Sequence, residues 1–324
     1  MKLKKNKKIF EYVFTFFIII SLNFALPRMM PGDPFLHNTG GEGEVFTSHT
    51  MEQIQYYREY YGLDKPIHLQ YWNYLKELFN FDLGYSYYYK TSVIDIISKR
   101  LPWTILLVIT ALIFSLIIGI LLGSFSAWRR NGWQDQSIYL ILIVISEIPA
   151  FLIGIFLLVI FAAGFNLFPL AGSISHFVDY SSRWGKIIDI AKHAFLPVMT
   201  LTIARTGGIY LLVRSSLSTV LTKDYIRTAK AKGLKEIRVK YMHALGNSIL
   251  PLITRVSMQL GAMVGGSVLA ESVFSYPGLG LLMRSAVSVR DYPLIQGIFL
   301  VLALMVMSTN FIADLLYKKI DPRV

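Results

Sequence analysis

The sequence predicts an all-α membrane protein with six transmembrane helices and a helical extracytoplasmic segment between the first and second. Three observations carry that prediction. The chain has 324 residues, 54% hydrophobic and only 16% charged, too few polar groups to coat soluble domains of that length. Six apolar stretches are each long enough to cross a bilayer, which takes about 20 residues. The cations are distributed unequally between the two sides that those spans define.

The first span, Ile9 to Pro27, follows a cluster of lysines as a signal peptide would, but it contains Glu11, and "NFALPRMM" offers no small-x-small cleavage site. It is therefore read as retained. In the segment that follows, Ile67, Tyr71, Tyr74, Leu75 and Leu78 recur at helical spacing after Pro66, predicting an amphipathic helix with proline in its first turn. A second helix is expected around Met51 to Tyr61. Ten of the 19 tyrosines fall between Tyr56 and Tyr89, which suits a membrane-surface scaffold or a docking platform.

The remaining spans run from Trp103 to Ala127, Ser137 to Phe161, Ala194 to Ser215, Ile249 to Ala270 and Leu294 to Leu316. Gly119 and Gly123, Ala150 and Gly154, and Gly261 and Gly265 are each four residues apart, so each pair shares one helical face and admits a neighbouring backbone.

Six spans place both termini on one side. That side holds 17 Lys and Arg against four acids, Asp135, Asp224, Glu236 and Asp321, whereas the opposite side holds 12 cations and 13 acids. The excess marks the cytoplasmic face, and nucleic acid is not needed to explain the net charge of +12.

Between the fourth and fifth spans lies a basic hairpin. Asp224 is the expected N-cap of a helix over Tyr225 to Lys232, and Gly233 the expected stop. Ile237, Tyr241, Ala244 and Leu245 predict an apolar stripe on a second short helix, ending at Gly246 before Pro251 opens the fifth span. Orientation in the membrane accounts for the charges of this element but not for its caps, glycine break and stripe.

Chemistry is sparse. There is no cysteine, which removes thiolate nucleophiles and Cys-based metal sites. Neither G-x-x-x-x-G-K-[ST] nor H-E-x-x-H is present, so no P-loop and no zincin site is expected, and no catalytic or metal-binding residue is assigned. "GGSVLAES" lacks the G-x-S-x-G of a serine hydrolase. Ionisable groups within spans are costly and mark candidate pathway positions. Glu147 precedes Pro149 within the third span, and Arg205 lies near the middle of the fourth beside Gly207 and Gly208. A structural ion pair or a water-filled crevice within the bundle is the preferred explanation of both, ahead of a place in the pathway. Ser257, Gln259 and Ser267 give the fifth span a permissive polar wall.

"DYIRTAKAKGL", together with "MPGDP", "YGLDKP", "FDLGYS", "RLPWT", "RSSL", "ESVFSYPGLG", "RDYPLIQG" and "DPRV" in order along the chain, resembles the transmembrane subunit of binding-protein-dependent ABC importers of the dipeptide/oligopeptide/nickel family. Arg227, Thr228 and Ala229 stand where the broader importer signature has Glu-Ala-Ala. The resemblance implies a type I importer-like fold in the bacterial cytoplasmic membrane with both termini cytoplasmic. It implies a first segment, 1–27; an extracytoplasmic segment, 28–100; and a transmembrane domain, 101–324, with a coupling loop at 216–248. Asp224, Tyr225, Arg227, Thr228, Ala229, Ala231, Gly233 and Leu234 would form the surface that docks into an ATPase.

The implied partners are a second permease, two cytoplasmic ATPases carrying ATP and Mg, an extracytoplasmic solute-binding protein and the lipid bilayer; no cofactor and no enzymatic activity are expected in this chain. Short peptides are the expected substrate, with nickel or a metal chelate as the alternative on the same scaffold. An ion-coupled secondary transporter would need paired broken helices and intramembrane acids, and no inverted repeat is visible. A membrane scaffold without transport is the third reading.

Overall fold

A computed structural model describes residues 2–29, 51–60, 62–175, 178–180, 182–248, 261, 263 and 265–320. Among these, the regular structure is helical apart from one isolated antiparallel bridge between Tyr85 and Ser92. The helices are α1 (Lys2–Arg28), α2 (Met51–Tyr60), α3 (Ile67–Phe79), α4 (Val93–Trp128), α5 (Trp133–Glu147), α6 (Ala150–Leu157), α7 (Arg183–Leu221), α8 (Asp224–Ala231), α9 (Glu236–Arg238), α10 (Gly246–Ser248), α11 (265–273), α12 (Leu279–Ser288) and α13 (Tyr292–Ile320). Two π-helical stretches, Leu158–Gly164 and Val239–Leu245, continue α6 and α9.

Leucine and isoleucine fill α4 on every side, so it is long and apolar all round rather than amphipathic. Ile109, Ile113, Ile117 and Leu121 form an exposed stripe at four-residue spacing. Apolar side chains facing outward on a 36-residue helix require lipid as their solvent. Among the described residues four helices meet the length and apolarity of a span, namely α1, α4, α7 and α13, with a fifth if the bent pair of α5 and α6 counts as one.

That bent pair corrects the third expected span. The chain turns by 99° between α5 and the helix beginning at Ala150. Pro149 carries no N–H to continue the ladder and forces Ile148 into an extended conformation (φ −78°, ψ 124°), so the helix stops at Glu147 and restarts. Pro102 and Pro197 do not break α4 and α7. The spans are also longer than the apolar stretches suggested: α4 starts at Val93, α7 at Arg183, and α13 runs to Ile320. Most of the fifth span, from 249 to 260, lies outside the described residues, as do "MPGDP" and "DPRV".

Two compact units divide the chain. The first comprises Met1–Pro102 and Leu281–Met307, and the second Trp103–Gly280 and Ser308–Val324. In the first unit Pro66 caps α3, and Tyr71, Tyr74, Leu75 and Leu78 are half-buried as the periodicity requires, while Ile67 is exposed. Tyr71 and Tyr74 pack on Phe24 of α1 at 5.1 and 5.7 Å, and the Tyr71 hydroxyl meets Ser21 Oγ at 2.7 Å.

In the second unit Gly119 and Gly123 face α7, where added Cβ atoms would approach the Ile209 side chain and, at 2.9 Å, the Tyr210 carbonyl. Gly207 faces α5 so closely that a Cβ would collide with Ser146 Oγ. Gly154 sits against Phe274 and Thr200, whereas no described atom lies within 4 Å of a Cβ at Gly265.

Candidate functional site

Helix α8 begins one residue earlier than its sequence suggests. Lys223 occupies the capping position in extended conformation (φ −74°, ψ 148°) and offers no side-chain acceptor; Asp224 is the first helical residue, not the cap. Its carboxylate still lies in the first turn, where the helix dipole favours negative charge. It pairs with Arg227 at 3.6 Å, both groups being largely in solvent, so the pair contributes little stability.

The other end fulfils expectation. Gly233 has φ +72°, its N–H donates to the Lys230 carbonyl at 3.0 Å, and the Leu234 N–H donates to the Ala229 carbonyl at 3.4 Å. These are the two bonds of a Schellman ending, and the left-handed φ is one that glycine reaches without strain.

The second arm differs from the expected helix. Residues 236–248 are helical throughout, Gly246 included (φ −55°), so that glycine stops nothing. The middle of the arm is a π-helix, Val239–Leu245, whose bonds join residues five apart. Val239 and Ala244, also five apart, thereby share the inward face, while Ile237 and Tyr241 of the predicted stripe point outward together with Met242.

Val239 and Ala244 complete a buried cluster with Ala127 of α4, Leu217 of α7, and Ile226 and Ala229 of α8; Leu234 packs at its edge. Lys240 Nζ meets Glu236 Oε1 at 2.6 Å and lies 5.0 Å from the Trp128 ring, which Tyr241 contacts edge-on at 5.2 Å. Ser216 Oγ donates to the Ser248 carbonyl at 2.9 Å, fastening the far end of the arm to α7. The hairpin is a folded knob seated on α7 by a dry contact.

Of the eight positions singled out for this surface, Asp224, Tyr225, Arg227, Thr228, Ala231 and Gly233 are exposed and Leu234 is half-buried. Ala229 is buried, at 7% exposure, and faces α7. Its small size lets α8 sit down on its own bundle, which corrects the expectation that it faces outward. Ile237 and Tyr241, which a 3.6-residue period turns inward, are exposed beside Met242.

The candidate pathway residues that the structure describes lie on α5, α7 and α11. Glu147 ends α5 at the bend with its side chain exposed. Arg205 is half-buried on α7 and approaches α11, with its Nη2 3.0 Å from where a Cβ on Gly266 would stand. The neighbouring Ser267 is buried. Ser257 and Gln259 lie outside the described residues. Among the described residues no group of three or more His, Cys, Asp or Glu could hold a metal ion.

Three buried carboxylates were not picked out from the sequence. Asp135 takes a bidentate pair from Arg214, Nε and Nη2 donating at 2.6 and 2.7 Å, with further bonds from Ser126 Oγ and, at 3.0 Å, the Asn131 N–H; Ser126 also meets the Tyr210 hydroxyl at 2.7 Å. Glu271 accepts from Thr104 Oγ1 at 2.7 Å and from the Gly280 N–H at 2.6 Å, while Thr104 accepts from the Leu279 N–H at 2.8 Å. This holds the N-terminus of α12 against a carboxylate, and a Cβ on Gly278 would collide with that carboxylate. Asp291 accepts from Ser86 Oγ, from the Tyr88 N–H at 3.1 Å and from the Leu294 N–H at 3.2 Å, capping α13 and pinning the 85–92 turn. "ESVFSYPGLG" and "RDYPLIQG" are therefore anchoring motifs.

Comparison with known proteins gives these features a setting. Residues 119–324 match the family described as binding-protein-dependent transport system inner membrane component, and residues 5–110 match the N-terminal region of such membrane components. The glutathione transport system permease protein GsiC of Shigella flexneri is 33% identical over 318 residues, covering 98% of this chain and 97% of its own length, and the Escherichia coli K12 protein of the same name matches equally. The Brucella ovis protein named "Putative peptide permease protein BOV_A0351" is 35% identical over 304 residues, covering 94% and 92%. The solved structure of the MetNI methionine ABC transporter in inward-facing form has a chain that superposes with a TM-score of 0.55 at 15% identity, covering 70% of this chain and 96% of that one, a likeness of fold.

Proposed function

The chain belongs to the family of inner membrane components of binding-protein-dependent transport systems, and from that premise we propose that it is the permease subunit of an ATP-driven importer of short peptides. It pairs with a second permease to form the pathway, receives substrate from an extracytoplasmic binding protein, and draws energy from two cytoplasmic ATPases. Both termini and the hairpin lie in the cytoplasm. The nucleotide and its Mg belong to the ATPases, and this chain catalyses no reaction.

The observation that carries the reading is the seating of the hairpin. Its two arms share one buried cluster with α4 and α7, so a force applied to the knob reaches the membrane helices without passing through a slack linker. The outward side offers Tyr225, Ile237, Tyr241 and Met242 beside Arg227 and Lys232. Apolar and aromatic groups ringed by cations suit insertion into a cleft with acidic margins. When the ATPases close on ATP they carry the knob with them, and the long helices tilt between inward-open and outward-open arrangements.

The peptide assignment draws support from relatives named for glutathione, a tripeptide, and for peptides. The test is uptake, in a strain deleted for this chain and complemented with it, of labelled dipeptide, labelled glutathione and labelled nickel. Uptake of dipeptide or glutathione that stops on ATP depletion is the expected result. Nickel uptake alone, or transport that follows a proton or sodium gradient without ATP, overturns the assignment.

A further inference from the structure

Helix α3 carries two apolar faces. The first, formed by Tyr71, Tyr74, Leu75 and Leu78, packs within its own unit, both tyrosines resting on Phe24 of α1. Leu69, Trp72, Lys76 and Phe79 follow one another at helical spacing and share a second face. That face is open: Leu69 is 45% exposed, Trp72 67% and Phe79 83%. Just beyond the helix Phe81 is 87% exposed, although its backbone stands at φ +58°, which a bulky side chain adopts only at a cost.

Exposed apolar surface of this kind marks contact with lipid or with another protein. The depth of the helix decides between them. The Tyr71 hydroxyl meets Ser21 Oγ at 2.7 Å, the Tyr74 hydroxyl accepts from Asn23 Nδ2 at 3.2 Å, and Arg28 Nε donates to Gln70 Oε1 at 3.0 Å. α3 therefore packs along the closing turns of α1, where Ser21 lies about 10 Å deeper than Arg28 by helical rise. The same turns expose Leu22 and Leu26, side chains that on a membrane-spanning helix meet hydrocarbon. Hydrocarbon thus reaches the level at which α3 packs, and α3, at 13 residues, is too short to cross it.

We propose that α3 lies in the plane of the bilayer surface around the Arg28 end of α1, with Leu69, Trp72, Phe79 and the Phe81 ring inserted among acyl chains and the Lys76 ammonium reaching lipid phosphates. Indole and phenyl rings suit that boundary, and a lysine within an apolar face can extend its head to the phosphates. The core of a protein interface, by contrast, is depleted of lysine. From α3 the chain passes into the 85–92 turn, which Asp291 pins at the start of α13, and Asn23 Nδ2 also donates to the Gln296 carbonyl at 2.8 Å. The lipid-seated helix is a collar that holds these ends of α1 and α13 at one depth.

The test uses the full chain, which has no native cysteine, in nanodiscs of phosphatidylethanolamine and phosphatidylglycerol, with a single nitroxide label on Trp72→Cys, Phe79→Cys, Glu77→Cys or Leu26→Cys. Collision of each label with oxygen, which concentrates in hydrocarbon, is compared with collision with a water-soluble nickel chelate. Labels at positions 72 and 79 should match the lipid-facing label at 26 and favour oxygen severalfold, whereas the label at 77, off that face, should favour the chelate. Trp72→Ser with Lys76→Glu should lower the oxygen preference at 79 and leave that at 26 unchanged, which also reports that the chain is still folded.

A chelate preference at 72 or 79 overturns the proposal, and its loss on adding the solute-binding protein would make the face a protein-docking surface instead. An oxygen preference at 79 that the double substitution leaves untouched overturns it as well. The readout involves no transport, so it neither stands nor falls with the peptide assignment.

Discussion

Gly233→Ala isolates the backbone of the hairpin. The glycine sits at φ +72° with nothing within 4 Å of where a Cβ would stand, so substitution creates no clash, and its whole cost is the left-handed conformation of an L-residue. That cost is roughly 1–2 kcal/mol, a factor of about 5–30 in the local opening equilibrium. Hydrogen exchange on the purified chain reads it directly at two amides, the Gly233 N–H bonded to Lys230 and the Leu234 N–H bonded to Ala229. Protection at both should fall by about that factor in Gly233→Ala, fall further in the β-branched Gly233→Val, and be largely retained in Gly233→Asn, since asparagine tolerates this region. Wild-type protection in the alanine variant, or equal losses for asparagine and valine, would refute the Schellman ending as the fastening of the two arms.

Three further outcomes follow from other contacts. Gly207→Ala should destabilise the chain by roughly 1–3 kcal/mol in denaturant titration; adding Ser146→Ala should recover only part of the loss, because the Leu142 carbonyl would remain 2.9 Å from the new methyl group. Asp135→Asn should cost roughly 3 kcal/mol, the lower end for a broken buried pair because Arg214 is 25% exposed, and Arg214→Gln in that background should restore part of it in a double-mutant cycle. Glu236, whose pKa its hydrogen bond with Lys240 lowers, stabilises the second arm above the ordinary glutamate value; exchange protection of residues 239–245 should decline as pH falls through the lowered value, and Glu236→Gln should flatten that dependence.

How far the sequence discloses the structure depends on which physical rule governs each position. Apolar length located α1, α4, α7 and α13, because a bilayer imposes about 20 apolar residues whatever the details of packing. Gly119, Gly123 and Gly154 were legible as close contacts, and Gly233 as a helix ending. Sequence alone reads the third span as continuous because a proline such as Pro149 is tolerated or disruptive according to tertiary context, as the unbroken helices around Pro102 and Pro197 demonstrate.

A period of 3.6 places Ala244 on the inward face of the second hairpin arm but also turns Ile237 and Tyr241 inward, whereas the π-helix pairs Ala244 with Val239 and leaves those two exposed. Glu147 stands out in the sequence as an acid within a span and is exposed, while Asp135, Glu271 and Asp291, which no span pattern marks, are buried. Asp291 was recoverable, being an aspartate just before Tyr292 and Pro293 at a helix start. The long-range partners of Glu271 and Asp135, Thr104 and Arg214, are 167 and 79 residues distant, and no local pattern reveals them.

A coupling role for the hairpin requires that it lie on the cytoplasmic side of the membrane. The chain has no native cysteine, so Arg227→Cys introduces a single thiol at an exposed position of α8. Labelling with a membrane-impermeant maleimide should fail in intact cells, succeed in inverted membrane vesicles stripped of peripheral proteins, and be blocked when the ATPase subunits are restored. Labelling from the outside of intact cells would contradict the account, as would unchanged labelling in the presence of the ATPases.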